Sequence, residues 1–319
     1  MNSLNNDNIG ICILAHNRLA HLKKTLKSVI KYKNKKDKIY IFLDVHSNKD
    51  LKKKILSSKN VQKYLANIRS NKILVLKTNN NIGPKKNWYR AYNYMFSIYK
   101  KVIILEDDIV IKKNFLTFMQ YYLNRYEKNS KIMSITGYSS YVELPRNYNY
   151  DCYLSNRSMS WSKATWKRVW IKFKKIKQDH GKIINNKKNI ELLSSAGDDL
   201  VRTIKLDFLG FVNSFQVWWI WNIVKNNGLC INPLEDLVEN IGFDGSGFHI
   251  NKREKFFSSK KKPKGLIKMK IPVFLREINY SFQKNFKIRI ISYLIFRYLN
   301  INIIKSIMKL KLKAQLKNY

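Results

Sequence analysis

The chain has 319 residues, enough for one large domain or two moderate ones, and its 45% hydrophobic and 13% aromatic content indicates a globular protein with a core. Its 62 Lys and Arg against 21 Asp and Glu give a net charge of +41, which favours an anionic partner such as a phosphorylated substrate, an anionic membrane or a nucleic acid. The three cysteines are far apart in sequence, which argues against a disulfide framework or a zinc site and fits a reducing compartment.

Apolar strand-like runs alternate with helical patterns along the first part of the chain. Strands are expected at 9–14, 39–43, 72–76 and 102–105. Helices are expected between them, at 22–30, 51–65 and 84–99. This alternation predicts an α/β sandwich around a mostly parallel sheet.

Polar residues follow the predicted strands at the points where the strands end. They are Arg18, Asp44, Lys86 in the 79–86 loop, and the run Glu106-Asp107-Asp108. Ligands of open α/β sheets bind beyond the carboxyl ends of the strands, so these side chains are expected to converge on one rim. The chain has neither a GxGxxG nor a GxxxxGK[ST] motif, which argues against a dinucleotide enzyme and a P-loop kinase.

The acidic run Glu106-Asp107-Asp108 interrupts two apolar segments. Three adjacent carboxylates at the tip of a buried strand repel one another and resist desolvation, so they need a counter-charge. Hard carboxylate oxygens suit Mg²⁺ or Mn²⁺. The sequence therefore predicts a divalent metal site here, with an ordinary acidic turn as the simpler alternative.

The second half of the chain continues the pattern less regularly. A helix is expected at 115–122 and further strands at 132–135 and 230–233, with a basic, loop-prone stretch at 172–189 between them. The tryptophan-rich segment 158–170 is either core packing or a wall against which a sugar or base stacks. The longest uncharged run, 208–224, is short and polar for a bilayer span and is expected to be core.

The composition changes after residue 250. The last 69 residues contain 19 Lys and Arg and 2 acidic residues, including the apolar heptapeptides 290–296 and 298–304 and then closely spaced lysines. We therefore predict a domain at 1–250 and a basic amphipathic helical tail at 251–319 that attaches to an anionic membrane surface. The alternative is a packing helix with solvated lysines. The polar start of the chain predicts no signal peptide, and a cytoplasmic location, on the inner face of the membrane, is expected.

The motifs together resemble a nucleotide-sugar glycosyltransferase of the GT-A fold. The run Leu105-Glu106-Asp107-Asp108-Ile109-Val110, followed by Asn114-Phe115, resembles the DXD-like metal motif of the N-acetylglucosaminyltransferase I family and of bacterial family-2-like sugar transferases. The resemblance also includes 13–18, Asp44, 160–170 and 240–249, so that it covers roughly residues 9–250 in consistent order. It implies a GT-A type three-layer sandwich and a hexosyl- or N-acetylhexosaminyl-transferase.

The resemblance also implies a role for each matching residue. Asp108 would bind the metal, with Glu106 and Asp107 on the ribose and sugar-diphosphate side of the donor. Asp44 would contact the nucleobase and Arg18 a phosphate. His249, in the glycine-rich loop 240–249, would lie near the metal or diphosphate.

One position departs from the family pattern. The segment that begins at Asn213 starts with an aspartate in the related sequences, where that aspartate is the catalytic base. An amide is a poor proton acceptor at neutral pH. Three explanations are open: a substitute carboxylate, a local misalignment, or an impaired enzyme. The candidate substitutes are Asp198, Asp199, Asp207 and Asp244.

The sequence thus predicts a metal-dependent, inverting glycosyltransferase that uses Mn²⁺ or Mg²⁺. It would move a sugar from a nucleotide-sugar donor, with a UDP-sugar favoured, to a glycan or lipid-linked acceptor in surface polysaccharide assembly. The alternatives are a degenerate transferase that binds the donor without turnover, and a basic nucleic-acid-binding protein. The second is disfavoured because no recognisable nucleic-acid-binding module is present.

Overall fold

The computed structural model describes residues 9–46, 52–138, 140–244 and 272–317. Within these ranges eight strands form one sheet in the order β3-β2-β1-β4-β8-β6-β9-β7, and a further two form a small antiparallel ribbon. The sheet strands are β1 Ile9–Ala15, β2 Ile39–Leu43, β3 Ile73–Lys77, β4 Lys101–Glu106, β6 Ile132–Thr136, β7 Cys152–Ser155, β8 Ser162–Trp166 and β9 Leu229–Pro233. The ribbon strands are β5 Ile109–Ile111 and β10 Val238–Asn240.

The sheet is mostly parallel, as predicted. β1 pairs in parallel with β2 and β4, β2 with β3, and β6 with β9. β8 lies antiparallel between β4 and β6, and β7 is antiparallel to β9. Because β1, β2 and β4 are parallel neighbours, their carboxyl ends lie at one edge of the sheet, which brings the residues that follow them together.

Helices flank the sheet, and their apolar faces form the core. The described helices of the first half are α1 Leu19–Tyr32, α2 Lys52–Ala66, α3 Pro84–Ile98 and α4 Phe115–Arg125. Those of the second half are α5 Lys167–Lys175, α6 His180–Ile184, α7 Lys187–Ser194, α8 Asp199–Phe208, α9 Phe215–Lys225, α10 Arg276–Lys284, α11 Ile290–Tyr298 and α12 Ile301–Lys317. α9 is buried around most of its circumference, with Trp218 and Trp219 fully enclosed, so the uncharged run 208–224 is core from Phe215 onward. Its first part is not core, since Phe208 is 49% exposed and Asn213 is exposed.

The basic stretch at 172–189 is not a loop, and this prediction was wrong. It contains the end of α5, all of α6 and the start of α7. Asp179 and Asn186 cap the two short helices, since their side chains accept hydrogen bonds from the backbone N–H groups of Lys182 and Asn189, both at 3.1 Å. Asp and Asn are favoured N-caps, so the signal was present but lay within a lysine-rich background.

The tryptophan-rich segment serves mainly as core. Trp166 on β8 and Trp170 on α5 are each 2% exposed. Trp161, just before β8, is partly buried and differs from them. Its ring centroid lies 4.0 Å from that of Tyr138 and 5.6 Å from that of Phe243.

The C-terminal helices pack on the body of the protein in two places. Ile278 and Phe282 of α10 join the main core, whereas Phe296 of α11 and Ile304 of α12 form a smaller cluster with Leu206 of α8. The predicted domain boundary at residue 250 falls outside the described residues and stays a prediction. None of the helices that the structure describes combines the length and hydropathy needed to cross a bilayer.

Candidate active site

Arg18 links the ends of β1 and β4. Its Nη2 donates to Oδ1 of Asp107 and lies 2.8 Å from Oδ2 of Asp108. One guanidinium therefore supplies the counter-charge for two neighbouring carboxylates, where the sequence resemblance implied a contact with a phosphate. A shared cation of this kind offsets the repulsion between the two buried anions.

Asp107 is held from several directions. Its side chain is almost fully buried, its Oδ2 accepts a 3.2 Å hydrogen bond from the backbone N–H of His16, and its backbone carbonyl accepts one of 2.8 Å from the Thr25 hydroxyl. Burial raises the pKa of Asp107, and the attraction of Arg18 opposes that increase. Asp107 therefore ties β4 to the end of β1 and to α1.

Asp108 has an oxygen without a partner. Its Oδ1 is buried, and none of the residues that the structure describes donates a hydrogen bond to it. The chain after β10 covers this side of the site, because the backbone N–H of Ile241 donates to the Asp108 carbonyl at 2.9 Å. A Cβ on Gly242 would lie 2.2 Å from Oδ2 of Asp108, so only glycine permits this close approach.

The surroundings of Asp108 fit a divalent cation. A buried carboxylate oxygen without a donor is costly unless a cation coordinates it, and Mg²⁺ and Mn²⁺ bind such oxygens. In the part of the chain that the structure describes, no three His, Cys, Asp or Glu side chains are grouped to hold a metal. Asp108 would therefore share the ion with donor phosphate oxygens and water, an arrangement that Mg²⁺ commonly adopts. The other predicted ligand, His249, lies outside the described residues.

Glu106 faces a buried lysine that the sequence analysis did not identify. Lys163 on β8 is 1% exposed, its Nζ donates to Oε1 of Gln216 and lies 4.6 Å from the ring centroid of Trp88. Burial raises the pKa of Glu106 to about 7, with Asp108 adding to the increase and Lys163 opposing it. Burial likewise lowers the pKa of Lys163 to about 7, against the attraction of Glu106.

Asp44 fixes the entry to α3. Its Oδ1 accepts from the Ile82 backbone N–H at 2.9 Å and the Thr78 hydroxyl at 3.2 Å, and its Oδ2 accepts from the Gly83 N–H at 2.9 Å. Gly83 has a φ of 78° and precedes Pro84, the first residue of α3. Asp44 thus shapes the loop between β3 and α3, and its Oδ2 retains an acceptor position for a ligand.

Lysines at the start of α3 differ in their surroundings. Lys86, the predicted donor-binding residue, is exposed in the first turn. The neighbouring Lys85 instead lies 3.6 Å from Oδ2 of Asp207, a contact that the sequence analysis missed. The candidate donor rim and Asp207 are therefore joined through the first turn of α3.

Asp207 is a buried carboxylate with several donors. Its Oδ1 accepts from the Ser214 backbone N–H at 2.7 Å, and its Oδ2 accepts from Trp218 Nε1 and lies near Nε2 of His180, both at 2.9 Å. Asn213, next to Ser214, is exposed immediately before α9. Asp207, near the end of α8, is therefore linked to the residue that follows Asn213, and His180 contacts Asp207 from α6.

The remaining catalytic candidate, Asp199, is occupied elsewhere. Its two carboxylate oxygens accept from Nη1 and Nη2 of Arg157, at 2.7 and 2.8 Å. The Arg157 guanidinium also lies 3.6 Å from the ring centroid of Phe286, which follows α10. Asp199 therefore holds Arg157 against the residue that follows α10, and the structure does not bring Asp199 together with the acidic run.

Residues 2–143, just under half of the chain, match the sequence model of the GNT-I family. No curated protein matches the chain significantly.

Solved structures similar to the chain include three at low sequence identity. GalNAc-T7 with UDP, GalNAc and Mn²⁺ has 11% identity over 72% of this chain and 43% of that chain, at a TM-score of 0.46. A mannosyltransferase from Pyrobaculum calidifontis in complex with GDP-Man and Mn²⁺ has 7% identity over 51% of this chain and 46% of that one, at 0.34. S. aureus TarS 1-349 has 12% identity over 51% of this chain and 48% of that chain, at a TM-score of 0.34. The chain therefore spans less than half the length of each of these structures.

The matched segment contains β1 to β6 and with them the acidic run and Arg18. The predicted resemblance is confirmed over this half. Residues 2–143 match the sequence model of the GNT-I family, and the mostly parallel α/β sheet that they begin is the architecture that the resemblance implied.

Proposed function

We propose that the protein is a metal-dependent glycosyltransferase that moves a sugar from a nucleotide-sugar donor to a glycan or lipid-linked acceptor, with inversion, in surface polysaccharide assembly. The observation that carries the proposal is the unpaired, buried Oδ1 of Asp108 at the rim that also contains Arg18 and Asp44. Support comes from the family match, which covers this rim.

The donor would lie along the carboxyl ends of β1, β2 and β4. Oδ2 of Asp44 would accept from the nucleobase, a UDP-sugar being favoured, while Arg18 offers its remaining N–H groups to the diphosphate. Asp108 would hold Mn²⁺ or Mg²⁺. The bound ion would act as a Lewis acid that stabilises the charge developing on the leaving diphosphate.

A proton acceptor for the sugar acceptor's hydroxyl is needed because Asn213 cannot serve. We assign this role to His180, positioned by Asp207. Asp207 accepts hydrogen bonds from the Trp218 and Ser214 N–H groups, and as an acceptor it orients Nε2 of His180 as a donor. Nδ1 of His180 is then left with a lone pair for a proton, as in other carboxylate-oriented histidines.

The proposal is tested by incubating the full chain with a panel of UDP- and GDP-sugars and Mn²⁺ and measuring release of nucleoside diphosphate. We expect turnover with at least one donor, and its loss in Asp108→Ala. Lys86→Ala is the matched control on the same rim. Because Lys86 is exposed, this substitution should reduce turnover only partially. If no donor is bound or turned over, and Asp108→Ala behaves as the parent protein, the proposal fails.

A second candidate function is favoured by the exposed Asn213, which occupies the family's base position: a degenerate transferase that binds donor without turnover. Calorimetry that shows tight donor binding, together with transfer that appears only in Asn213→Asp, would support this candidate. Asn213 precedes the N-terminus of α9, where a new carboxylate is electrostatically favourable, so the variant should fold normally.

A further inference from the structure

The C-terminal helices expose a large apolar face. On α11, Ile290, Ile291 and Tyr298 are 69%, 70% and 71% exposed, and Leu294 between them is 47% exposed. On α12, Ile303 and Leu310 are 50% and 67% exposed. We call these six residues the outer apolar face. Large apolar side chains exposed together on neighbouring helices mark an interaction site more often than apolar side chains scattered singly.

The outer apolar face is distinct from the side that packs on the protein. Successive helical residues are about 100° apart, so Ile290, Ile291, Leu294 and Tyr298 share one side of α11. Phe296 lies on the opposite side and is buried with Leu206 of α8. α11 is therefore apolar on two sides, of which its own fold uses one.

Polar contacts fix the orientation of these helices. Arg297 Nη1 donates to the Ser194 hydroxyl at 3.1 Å, and Lys205 Nζ on α8 lies 3.4 Å from the carbonyl oxygen of Leu299, at the end of α11. Ile304 of α12 is fully buried in the same cluster as Phe296. The body of the protein thus holds the outer apolar face pointing away from the core.

The charge around this face selects its partner. Residues 278–319 contain nine Lys and Arg and no Asp or Glu, and Lys287, Arg289, Lys305 and Lys309 are exposed beside the apolar residues. A second copy of the chain would bring one net charge of +41 against another. An anionic lipid surface satisfies both features, because its headgroups attract the cations and its acyl boundary accepts the apolar side chains.

We propose that α11 and α12 dock the protein, parallel to the surface, on a membrane that contains anionic lipid, with the outer apolar face inserted at the headgroup boundary. The proposal depends on exposed residues and charge and not on transferase chemistry. It agrees with a lipid-linked acceptor, since docking would hold the catalytic rim at the surface where such an acceptor lies.

The test is flotation of the full chain with phosphatidylcholine vesicles that contain or lack phosphatidylglycerol. The test variant replaces Ile290, Ile291 and Tyr298 by Asn. The control variant replaces Leu56 of α2 and Ile98 of α3 by Asn, residues that are 61% and 49% exposed on other helices. Circular dichroism and thermal unfolding establish that both variants fold as the parent does.

We expect the parent and the control variant to float with anionic vesicles, weakly with neutral ones, and less at high salt. The affinity of the test variant for anionic vesicles should fall by roughly tenfold or more, because the inserted apolar area is lost. The proposal would be overturned if the test and control variants bound vesicles equally well and only salt reduced the binding. It would also be overturned if the parent did not bind vesicles. A concentration-dependent dimer of the parent that the test variant abolishes would also overturn it, in favour of a second copy.

Discussion

Asp107 and Asp108 are adjacent in sequence, yet the structure predicts opposite consequences when each is changed to Asn. In Asp107→Asn the amide cannot accept from both the Arg18 guanidinium and the His16 backbone N–H, so one buried donor faces an amide NH₂. We expect the free energy of unfolding to fall by about 2–4 kcal/mol, which is the usual cost of removing one charged partner from a buried pair.

Asp108→Asn should cost much less. The amide oxygen can take the place of Oδ2 and keep the 2.8 Å contact with Arg18, while the NH₂ occupies the position of the unpaired Oδ1. The substitution also removes one of two like charges. The two effects together should leave the free energy of unfolding within ~1 kcal/mol of the parent value.

For ligand binding, Asp108→Asn should be the more damaging of the two substitutions. Removal of partners outside the first coordination sphere typically reduces metal affinity by about 10- to 100-fold, so loss of the ligand itself in Asp108→Asn should weaken Mn²⁺-dependent UDP binding by about 100-fold or more. Urea unfolding and titration calorimetry measure the two quantities. Equal destabilisation by both variants, with Mn²⁺-dependent binding retained in Asp108→Asn, would refute the assignment of Asp108 as the metal ligand.

Three further outcomes follow from the same contacts. Asp207→Asn should lower the free energy of unfolding by about 3 kcal/mol or more in urea titrations, because several buried donors lose a charged acceptor. Lys163→Met should raise the pKa of Glu106 further above about 7, since Lys163 opposes the effect of burial. Above pH 7 the free energy of unfolding of the parent should rise with pH, because the buried Lys163 has lost a proton that it keeps in the unfolded chain. In the variant it should fall with pH in this range, because Glu106 is still ionising in the folded state after it has ionised in the unfolded chain. Urea unfolding across this pH range measures the difference. Gly242→Ala should weaken Mn²⁺-dependent UDP binding in calorimetry, because its Cβ would displace the Asp108 carboxylate.

Local patterns in the sequence were sufficient for the first half of the fold. Strands β1 to β4 are continuous apolar runs separated by amphipathic helices, and parallel pairing then brings Arg18, Asp44 and the acidic run to one edge. No sequence pattern showed that β8 inserts antiparallel beside β4. That pairing depends on contacts between distant segments, and it places Lys163 beside Glu106.

The candidate catalytic residues show the same limit. The sequence analysis named Asp207 but could not rank it above Asp199, because the difference lies in partners from other parts of the chain. Asp199 is paired with Arg157, whereas Asp207 contacts His180 and Lys85 from segments distant in sequence. His180 was overlooked because it lies in a stretch expected to be a loop, where a lone histidine carries little information.

The acidic run appears in the sequence as a single feature, three like charges that require a cation. In the structure the three carboxylates have three different environments. Glu106 faces Lys163, which opposes the effect of burial on its pKa. Asp107 is saturated by Arg18 and the His16 backbone, and serves to hold the site together. Arg18 contacts one oxygen of Asp108, but among the described residues none donates to the other, the buried Oδ1. Of the three carboxylates, Asp108 is therefore the one with a buried oxygen still open to an added divalent ion.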